Sequence, residues 1–319
     1  MRAVVRTWNG LQFKSNYRKP TSPKANSDEV LVEVHAAAIN PVDYKAPRLI
    51  LGPVAGLDVA GVVAAVGDNS LSGLSVGDRV YGTAKGSLAD FVLAQGNSLA
   101  KIPENISFEQ AAALPTTYIT GLQGLRDTDK GNFKAGARVL IIGASGGCGI
   151  AAVQIAKAMS AGEIVGVCSS KNAETVKQEG VDKVLDYNID GFGEEYVNAA
   201  EKDKFDLIYD TATNSGGGED YKAWSMKRLK KDGQYVAING NVAMWLRMFT
   251  KTQLKNQHLF ITDMNTKDLD HLSNLMTAEG STLRPKILKS FSFTAATVEE
   301  GFKLLKSRRT VGKIVFFMK

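Results

Sequence analysis

The sequence predicts an α/β protein in which a doubly wound parallel sheet is inserted into a β-rich, partly closed barrel. Three observations support this fold class. The chain of 319 residues is longer than one compact core usually is, so we expect two domains. From residue 138 onward, short apolar strands alternate with helices. After about residue 267 the β-rich character of the first third returns, which predicts a discontinuous partner domain.

Short strands separated by glycine and aspartate turns make up the first third of the chain. Residues 30–36 alternate between apolar and polar side chains, and residues 59–66 form a β-branched run around Gly61. Two more short strands are predicted at residues 79–81 and 91–93. Short strands at such close spacing predict a barrel.

The inserted domain is predicted from six strands with helices between them. Its first strand is the apolar run at residues 139–142, which suits burial on both faces of a sheet. The other strands are predicted at residues 164–167, 183–185, 205–209, 235–238 and 259–261. Helices are expected at residues 150–159 and 172–179.

The predicted domain boundaries follow these changes in sequence character. The inserted domain covers residues 118–266, and its partner covers residues 1–117 and 267–319. The second segment of the partner carries two predicted helices and two predicted strands, at residues 269–276, 287–288, 298–306 and 312–317.

A glycine-rich turn lies directly after the first strand of the inserted domain and directly before a helix. It reads Gly-Ala-Ser-Gly-Gly-Cys-Gly at residues 143–149, with Ala144 at the first glycine of a G-x-G-x-x-G pattern. Small residues permit close backbone approach to a pyrophosphate, whose charge a helix N-terminus favours. A purely structural turn is the alternative for an isolated glycine pattern. The strand–turn–helix context favours a Rossmann dinucleotide-binding domain.

The residues after the second strand of this domain predict which dinucleotide binds. They read Cys-Ser-Ser-Lys-Asn at residues 168–172, and no acid appears before Glu174. Two hydroxyls and an ammonium suit a 2′-phosphate, whereas the carboxylate that receives a ribose 2′-hydroxyl would repel it. A helix start capped by Ser169 or Ser170 is compatible with this role. The sequence therefore predicts NADPH rather than NADH.

Composition and charge exclude several classes of function. The two cysteines, Cys148 and Cys168, can form neither a disulfide framework nor a four-cysteine zinc site. The net charge of +6 comes from scattered Lys and Arg residues, which favours a basic cofactor cleft over a nucleic-acid partner. No apolar run is long enough for a membrane span, although peripheral association stays open. We expect a cytoplasmic protein or one in an organelle such as the chloroplast.

With these motifs in view, the chain resembles the zinc-free members of the medium-chain dehydrogenase/reductase superfamily. The closest likeness is to quinone oxidoreductases and alkenal or enone reductases, including chloroplast-envelope quinone-oxidoreductase-like proteins. The resemblance rests on the glycine-rich turn at residues 143–149, which we call the phosphate loop, and on six further segments. These are Asn-Pro-Val-Asp-Tyr-Lys at residues 40–45, Gly-Leu-Asp-Val-Ala-Gly at 56–61, Gly-Asp-Arg-Val at 77–80, Ala-Ala-Ala-Leu-Pro at 111–115, Ser-Ser-Lys-Asn at 169–172 and Gly-Lys at 312–313. It implies a GroES-like barrel for the partner domain.

The resemblance implies an NADPH-dependent, zinc-independent reductase that transfers a hydride to a quinone or an α,β-unsaturated carbonyl. Zinc enzymes of the superfamily carry a cysteine in the segment that corresponds to residues 40–45 and Gly-His-Glu in the segment that corresponds to residues 56–61. Here residues 40–45 contain no cysteine, and Leu57 and Asp58 replace His-Glu. The three histidines, His35, His258 and His271, have no metal-ligand spacing. Neither a catalytic nor a structural zinc is therefore expected.

A set of site residues follows from this likeness. Asn40 is expected to hydrogen-bond the substrate carbonyl or the ribose, while Tyr44, Lys45 or water protonates the reduced oxygen. The residues expected to bind the cofactor are Lys45, Ser145, Gly146, Gly147, Cys148, Gly149, Ser169, Ser170, Lys171, Tyr187, Ile238, Gly312 and Lys313. Tyr187 is equally suited to packing at a strand end. Trp245 closes over the substrate, supports a dimer or packs in the core.

Two rival functions and an oligomeric state complete the expectations. An NADPH-binding redox sensor or scaffold without turnover is the alternative from another class, but intact Lys45, Ser170 and Lys171 favour an enzyme. A saturated-alcohol dehydrogenase of the same fold is disfavoured by the missing zinc ligands. We expect a homodimer joined through the Rossmann domains, because residues 259–261 place an apolar strand at the edge of the sheet.

Overall fold

The computed structural model describes residues 1–24, 27–67, 73–126 and 132–318. The chain folds into two compact units. The first unit combines Met1–Ile119 with Asp263–Lys319, and the second unit is Thr120–Thr262.

The helices and strands follow one another in the order that the chain dictates. The strands of the N-terminal segment are β1 (Ala3–Thr7), β2 (Gly10–Lys14), β3 (Glu29–Ile39), β4 (Asp58–Val66), β5 (Arg79–Thr83), β6 (Phe91–Gln95) and β7 (Leu99–Lys101). Its helices are α1 (Pro41–Lys45), α2 (Arg48–Leu51) and α3 (Phe108–Ala112), and helix α4 (Pro115–Arg126) contains the change from the first unit to the second.

The remaining elements belong to the second unit and then to the returning segment of the first. The second unit contains β8 (Arg138–Ile142), α5 (Gly147–Ala158), β9 (Glu163–Cys168), α6 (Ala173–Glu179), β10 (Lys183–Asp186), β11 (Phe205–Asp210), α7 (Lys222–Met226), β12 (Leu229–Ala237), α8 (Val242–Phe249) and β13 (Gln257–Leu259). The returning segment contains α9 (Thr266–Thr277), β14 (Ile287–Ser292), α10 (Ala295–Lys306) and β15 (Lys313–Phe317).

The first unit is built on a sheet in the order β14-β15-β3-β4-β5-β7, with β6 also paired to β3. The C-terminal strand β15 lies antiparallel to β3, so that Ile314 is opposite Ile39. Strand β3 in turn pairs antiparallel with β4 and β6. Its many β-branched and alanine side chains are buried in the core of this unit. The sequence therefore correctly predicts a β-rich unit whose last strand comes from the C-terminal segment.

The second unit is a parallel sheet in the order β10-β9-β8-β11-β12-β13. The chain builds β9 and β10 outward from one side of β8, then returns to build β11 to β13 from the other side. Such a reversal leaves the carboxyl ends of β8 and β11 at a switch point, where doubly wound sheets bind ligands. The central run from Val139 to Ile142 is fully buried, as expected for a strand covered on both faces. The predicted doubly wound fold is confirmed.

Two local expectations differ from the structure. The strand expected at residues 259–261 is β13, which ends at Leu259, and the side chain of Ile261 is exposed. The short helix α8 is not among the helices predicted from the sequence. The homodimer expected at the β13 edge stays a prediction. Among the helices of the described residues, none has the length and apolar character needed to cross a bilayer.

Candidate functional site

The glycine-rich turn connects β8 to α5 in the second unit. The N–H groups of Gly143 and Ala144 both donate to the carbonyl oxygen of Val167 at 3.0 Å, which ties the turn to the end of β9. Gly143 has a φ of +77°, a backbone conformation that favours glycine. A Cβ at Gly149 would collide with the carbonyl oxygen of Gly143. These two glycines are therefore required by the turn and by its close packing against the helix.

Gly146 differs from both, because nothing in the protein requires a glycine there. Its φ is −76°, and an added Cβ would meet only the carbonyl oxygen of Gly143, at 3.4 Å. Gly146 is the N-cap of α5, so the first N–H groups of that helix have no acceptor within the helix. An open backbone beside such donors fits a pyrophosphate.

A second group of predicted residues lies at the carboxyl ends of β9 and β10. These strands pair in parallel with Cys168 opposite Asp186, so Ser169 and Tyr187 each begin a loop at the same sheet edge. The side chains of Ser170, Lys171 and Tyr187 are exposed to solvent. The sheet thus brings together residues that are well separated in sequence.

The loop after β9 is connected to the phosphate loop by a side-chain hydrogen bond. The amide Nδ2 of Asn172 donates to Oγ of Ser145 at 3.1 Å. This contact links the glycine-rich turn and the loop after β9 within one unit.

Asp186 is an acid that the sequence reasoning missed. Its Oδ2 accepts the N–H of Ser170 at 3.0 Å, and its Oδ1 accepts both the N–H and the Nδ2 of Asn188. The backbone hydrogen bond from Asn188, followed by others, lowers the pKa of Asp186 below its ordinary value. The sequence pattern expects an acid along the chain after β9, whereas Asp186 reaches this loop from the neighbouring strand. Both of its oxygens are engaged in shaping the loop.

Asp210 at the end of β11 is a second acid that the sequence reasoning missed. Its buried carboxylate accepts the hydroxyl of Tyr235 at 2.8 Å and both the N–H and the hydroxyl of Thr213. Burial raises the pKa of Asp210 above its ordinary value, against these hydrogen bonds. The N–H of Ile238 donates to the carbonyl oxygen of Asp210 at 3.2 Å, so Ile238 lies at the same carboxyl edge. In the sequence, the signal for this residue is an acid directly after the predicted strand at residues 205–209.

In the first unit, two predicted site residues, Asn40 and Lys313, meet Asp58 in one buried cluster. The ammonium of Lys313 donates to Oδ2 of Asp58 at 3.0 Å and to Oδ1 of Asn40 at 2.5 Å. The Nδ2 of Asn40 donates to the same Oδ2 of Asp58 at 2.8 Å. The other oxygen of Asp58 accepts the N–H and the hydroxyl of Thr116. The cluster therefore satisfies the buried charges of Lys313 and Asp58 mutually.

This cluster gives Asn40 and Lys313 a structural role that the sequence did not predict. Both polar atoms of the Asn40 amide are engaged, which anchors the residue that precedes α1. Gly312 has a φ of +87°, and a Cβ there would collide with the carbonyl oxygen of Lys286. This glycine lets β15 begin with the N–H of Lys313 bonded to that carbonyl. The contacts of Asn40, Gly312 and Lys313 with substrate or cofactor stay predictions.

The residues around Asp58 do not fit a zinc ion. Asp58 stands where zinc enzymes of the superfamily carry a glutamate, and here its carboxylate holds an ammonium, which would repel a divalent cation. Within residues 1–24, 27–67, 73–126 and 132–318, no three His, Cys, Asp or Glu side chains gather as metal ligands would.

The short helix α1 carries three residues with different environments. Tyr44 is half-buried, with the ammonium of Lys306 5.4 Å from the centre of its ring, and burial raises its pKa. Lys45, in the last turn, is exposed. Asp43 is buried; its Oδ2 accepts the N–H of Asn40 at 2.7 Å, and its Oδ1 has no hydrogen-bond partner among the residues that the structure describes. Burial, foremost, raises the pKa of Asp43 to about 7.

Comparison with known proteins identifies the family. The family model described as "alcohol dehydrogenase GroES-like domain" matches residues 26–104, and the one described as "zinc-binding dehydrogenase" matches residues 179–316. A 2-methylene-furan-3-one reductase from Solanum lycopersicum is 32% identical over 96% of this chain and 75% of its own. The chain belongs to the medium-chain dehydrogenase/reductase superfamily. Its β-rich unit is the GroES-like domain and its parallel sheet the Rossmann domain.

Two further proteins with reductase or oxidoreductase names are similar to this chain. A chloroplastic NADPH-dependent alkenal/one oxidoreductase from Arabidopsis thaliana is 30% identical over 96% of this chain and 76% of its own. The solved structure of a quinone oxidoreductase from Coxiella burnetii is 26% identical, with a TM-score of 0.81 over 100% of this chain and 99% of that chain. Since these relatives are named reductases and oxidoreductases, the chain is an oxidoreductase.

We expect Lys313→Met to destabilise the first unit strongly, because it leaves the buried charge of Asp58 unpaired. Breaking a buried pair from one side costs about 3–5 kcal/mol in the free energy of unfolding. Adding Asp58→Asn to this variant should recover a large part of the loss. The measurement is urea unfolding followed by circular dichroism.

The matched control is Lys289→Met, which removes the same side chain from the exposed pair with Glu300 in the same unit. Exposed pairs contribute about 0–1 kcal/mol. Equal losses for the two lysines would contradict a stabilising role for the buried cluster.

Asp43 should give the stability a specific pH dependence. With a folded-state pKa of about 7, Asp43 binds a proton in the folded protein at pH values where the unfolded chain has lost it. Its contribution is therefore present at low pH and is lost as the pH rises through about 7. Relative to the wild type, Asp43→Asn should gain up to about 1.4 kcal/mol per pH unit between pH 4 and 7. Thermal unfolding across this range tests it, and a difference that does not change with pH contradicts it.

Proposed function

We propose that this chain is an NADPH-dependent reductase that transfers a hydride, without zinc, to a quinone or an α,β-unsaturated carbonyl. The observation that carries the proposal is the pairing, in the Rossmann unit, of an open glycine cradle with an exposed group of hydroxyls and an ammonium. The names of its relatives, an NADPH-dependent alkenal/one oxidoreductase and a quinone oxidoreductase, support the same activity.

The cofactor would be held by residues that the sheet edge already positions. The backbone at residues 145–149 would bind the pyrophosphate, with Ser145 oriented by Asn172. Ser169, Ser170 and Lys171 would bind the 2′-phosphate, and Tyr187 starts the neighbouring loop. Ile238, Lys45, Gly312 and Lys313 are the residues that we assign to the nicotinamide side. When bound, the reduced nicotinamide supplies the hydride.

Tyr44 and Lys45 are the residues that we assign to the proton of the reaction. The phenol of Tyr44 is protonated at neutral pH and can donate to a reduced oxygen, although burial raises its pKa and so makes it a weaker acid. Lys45 can donate from its ammonium, and water is the third source. The buried Lys313–Asp58–Asn40 cluster would act as the positioning device, because it fixes the start of the helix that carries both side chains.

The substrate class follows from what polarises the carbonyl. Asp58, at the position of a zinc enzyme's glutamate, is engaged by Lys313, so no Lewis acid is expected to stabilise a localised alkoxide. A quinone or enone spreads the developing charge over its own π-system and needs less help. Conjugated acceptors are therefore the substrates that this set of residues suits best.

Lys171→Ala should weaken NADPH binding and leave NADH binding nearly unchanged, because only NADPH carries the 2′-phosphate. Loss of the charge-assisted bonds should cost about 2–3 kcal/mol in binding free energy. Calorimetry with both cofactors measures this difference. The control is Lys177→Ala, another exposed lysine of the same unit, which should change neither Kd. Equal losses of both cofactors in Lys171→Ala would contradict the assignment.

The reductase should act on a quinone or 2-alkenal and ignore the matching saturated aldehyde, with NADPH as donor. A Lewis acid contributes several kcal/mol to an isolated alkoxide, so without one kcat/KM should differ by at least about a hundredfold. Activity should also survive EDTA. Comparable kcat/KM values for the two substrates, or one tightly held zinc per chain, would refute the mechanism. No NADPH oxidation with any acceptor would favour the sensor or scaffold instead.

A further inference from the structure

The carboxylate of Asp210 makes more hydrogen bonds than the end of a strand requires. Its Oδ1 accepts the N–H groups of Ala212 and Thr213, both at 2.9 Å, as an aspartate does when it caps a turn. Its Oδ2 accepts the hydroxyls of Thr213 and Tyr235. Asp210 is 1% exposed, and a carboxylate is costly to bury. Since a short neutral side chain can cap a turn, the contacts of Oδ2 need a reason of their own.

The contacts of Asp210 join the carboxyl ends of two neighbouring strands. Tyr235 belongs to β12, which pairs in parallel with β11 and places Tyr235 opposite Ile208. The N–H of Ile238, one residue beyond β12, donates to the carbonyl oxygen of Asp210 at 3.2 Å. The side chain and the main chain of Asp210 therefore both bind the end of β12.

Thr213 extends this network into the loop that follows β11. Its Oγ1 donates to Asp210 and accepts the N–H of Tyr221 at 2.8 Å. The loop between Thr213 and Tyr221 therefore begins and ends at one hydroxyl group, which Asp210 orients.

Thr211 connects the start of the same loop to the phosphate loop. Its Oγ1 and its N–H donate to the carbonyl oxygen of Ile142, at 2.8 and 3.1 Å. A Cβ at Gly143 would collide with the hydroxyl of Thr211, so the two loops are in close contact at the switch point between β8 and β11. Residues 211–213 therefore lie beside the backbone that would bind the pyrophosphate.

The order of the strands indicates which half of the cofactor would pass these residues. The hydroxyls and the ammonium that we assign to the 2′-phosphate follow β9, on one side of β8. A dinucleotide binds across the switch point of a doubly wound sheet, so its other half would extend over the carboxyl ends of β11 and β12. That half carries the nicotinamide, and its side of the sheet is the one that Asp210 joins.

We propose that Asp210 is a positioning residue for the nicotinamide half of NADPH. It holds residues 211–213 and Ile238 as one surface, so that a bound nicotinamide ring has a single position relative to the acceptor. Alignment of this kind matters because a displacement of about 1 Å can cost about a hundredfold in rate. The inference rests on the proposed NADPH-dependent reduction.

The variants Asp210→Asn and Thr213→Val test the proposal. Asn keeps one oxygen for the two backbone N–H groups but presents an amide N–H to the hydroxyl of Tyr235, and Val keeps the shape of Thr without its hydroxyl. With a quinone as acceptor, both variants should lower kcat by about tenfold to a hundredfold. Deuterium at C4 of NADPH should slow the variants more than the wild type, because hydride transfer becomes the slow step. The Kd for NADPH should change little, because the phosphate contacts lie outside the network.

A second measurement needs no turnover. The fluorescence of a reduced nicotinamide depends on how its ring is held, so NADPH bound to either variant should emit more like the free cofactor than NADPH bound to the wild type does. The matched control is Asp206→Asn, the same substitution at the amino end of the same strand. There the carboxylate accepts the N–H of Arg138 at 2.8 Å and the ammonium of Lys230 at 2.7 Å. This control should leave both kcat and the emission unchanged.

Wild-type kcat and emission in both variants would overturn the proposal. An equal loss in Asp206→Asn would also overturn it, because such a loss would come from the stability of the strand. Circular dichroism of every variant checks the fold, and Thr213→Val, which leaves the carboxylate in place, decides the test where Asp210→Asn does not fold. If the wild type oxidises no NADPH with any acceptor, the proposed reaction fails, and the emission of bound NADPH still tests positioning by Asp210.

Discussion

A buried ion pair between Lys313 and Asp58 joins parts of the first unit that are 255 residues apart in sequence. Lys313 begins the C-terminal strand β15, and Asp58 begins β4, on the opposite side of β3. Asn40, which follows β3 directly, completes the pair with both of its amide groups. Desolvation of two charges is costly, so such a pair is stable only when the remaining hydrogen-bonding positions are filled. Thr116 fills those of Asp58, and the start of helix α1 is thereby fixed in place.

The same cluster decides what chemistry the first unit can support. An acid at the position of Asp58 could in principle hold a cation, and Lys313 supplies that cation from within the chain. Among the described residues, the neighbouring Asp43 has no hydrogen-bond partner for its Oδ1, and burial raises its pKa to about 7. The two carboxyls therefore differ, because that of Asp58 has an ammonium as its partner. Tyr44 and Lys45 follow Asn40 and Asp43 in the chain, so their positions depend on this buried cluster.

In the second unit, the parallel sheet fixes the positions of the loops that form the candidate cofactor site. Its carboxyl edge collects the phosphate loop, the loop after β9 and the ends of β10, β11 and β12. Hydrogen bonds from Asn172 to Ser145 and from Ile238 to Asp210 connect these loops to one another. Helix α8 packs against the core of this unit with one face, and the apolar side chains of its other face are exposed.

The sequence by itself determined the elements whose signals are local. The apolar run before residues 143–149 and the glycines of that turn are read directly, because a buried parallel strand and a positive φ each demand particular residue types. The absence of zinc-ligand spacing around Leu57 and Asp58 is equally local. Only the tertiary structure decided that Lys313 pairs with Asp58 and that Asp186 reaches the loop of Ser170. Strand pairing brings together residues from distant parts of the chain, and no spacing in the sequence records which strands become neighbours.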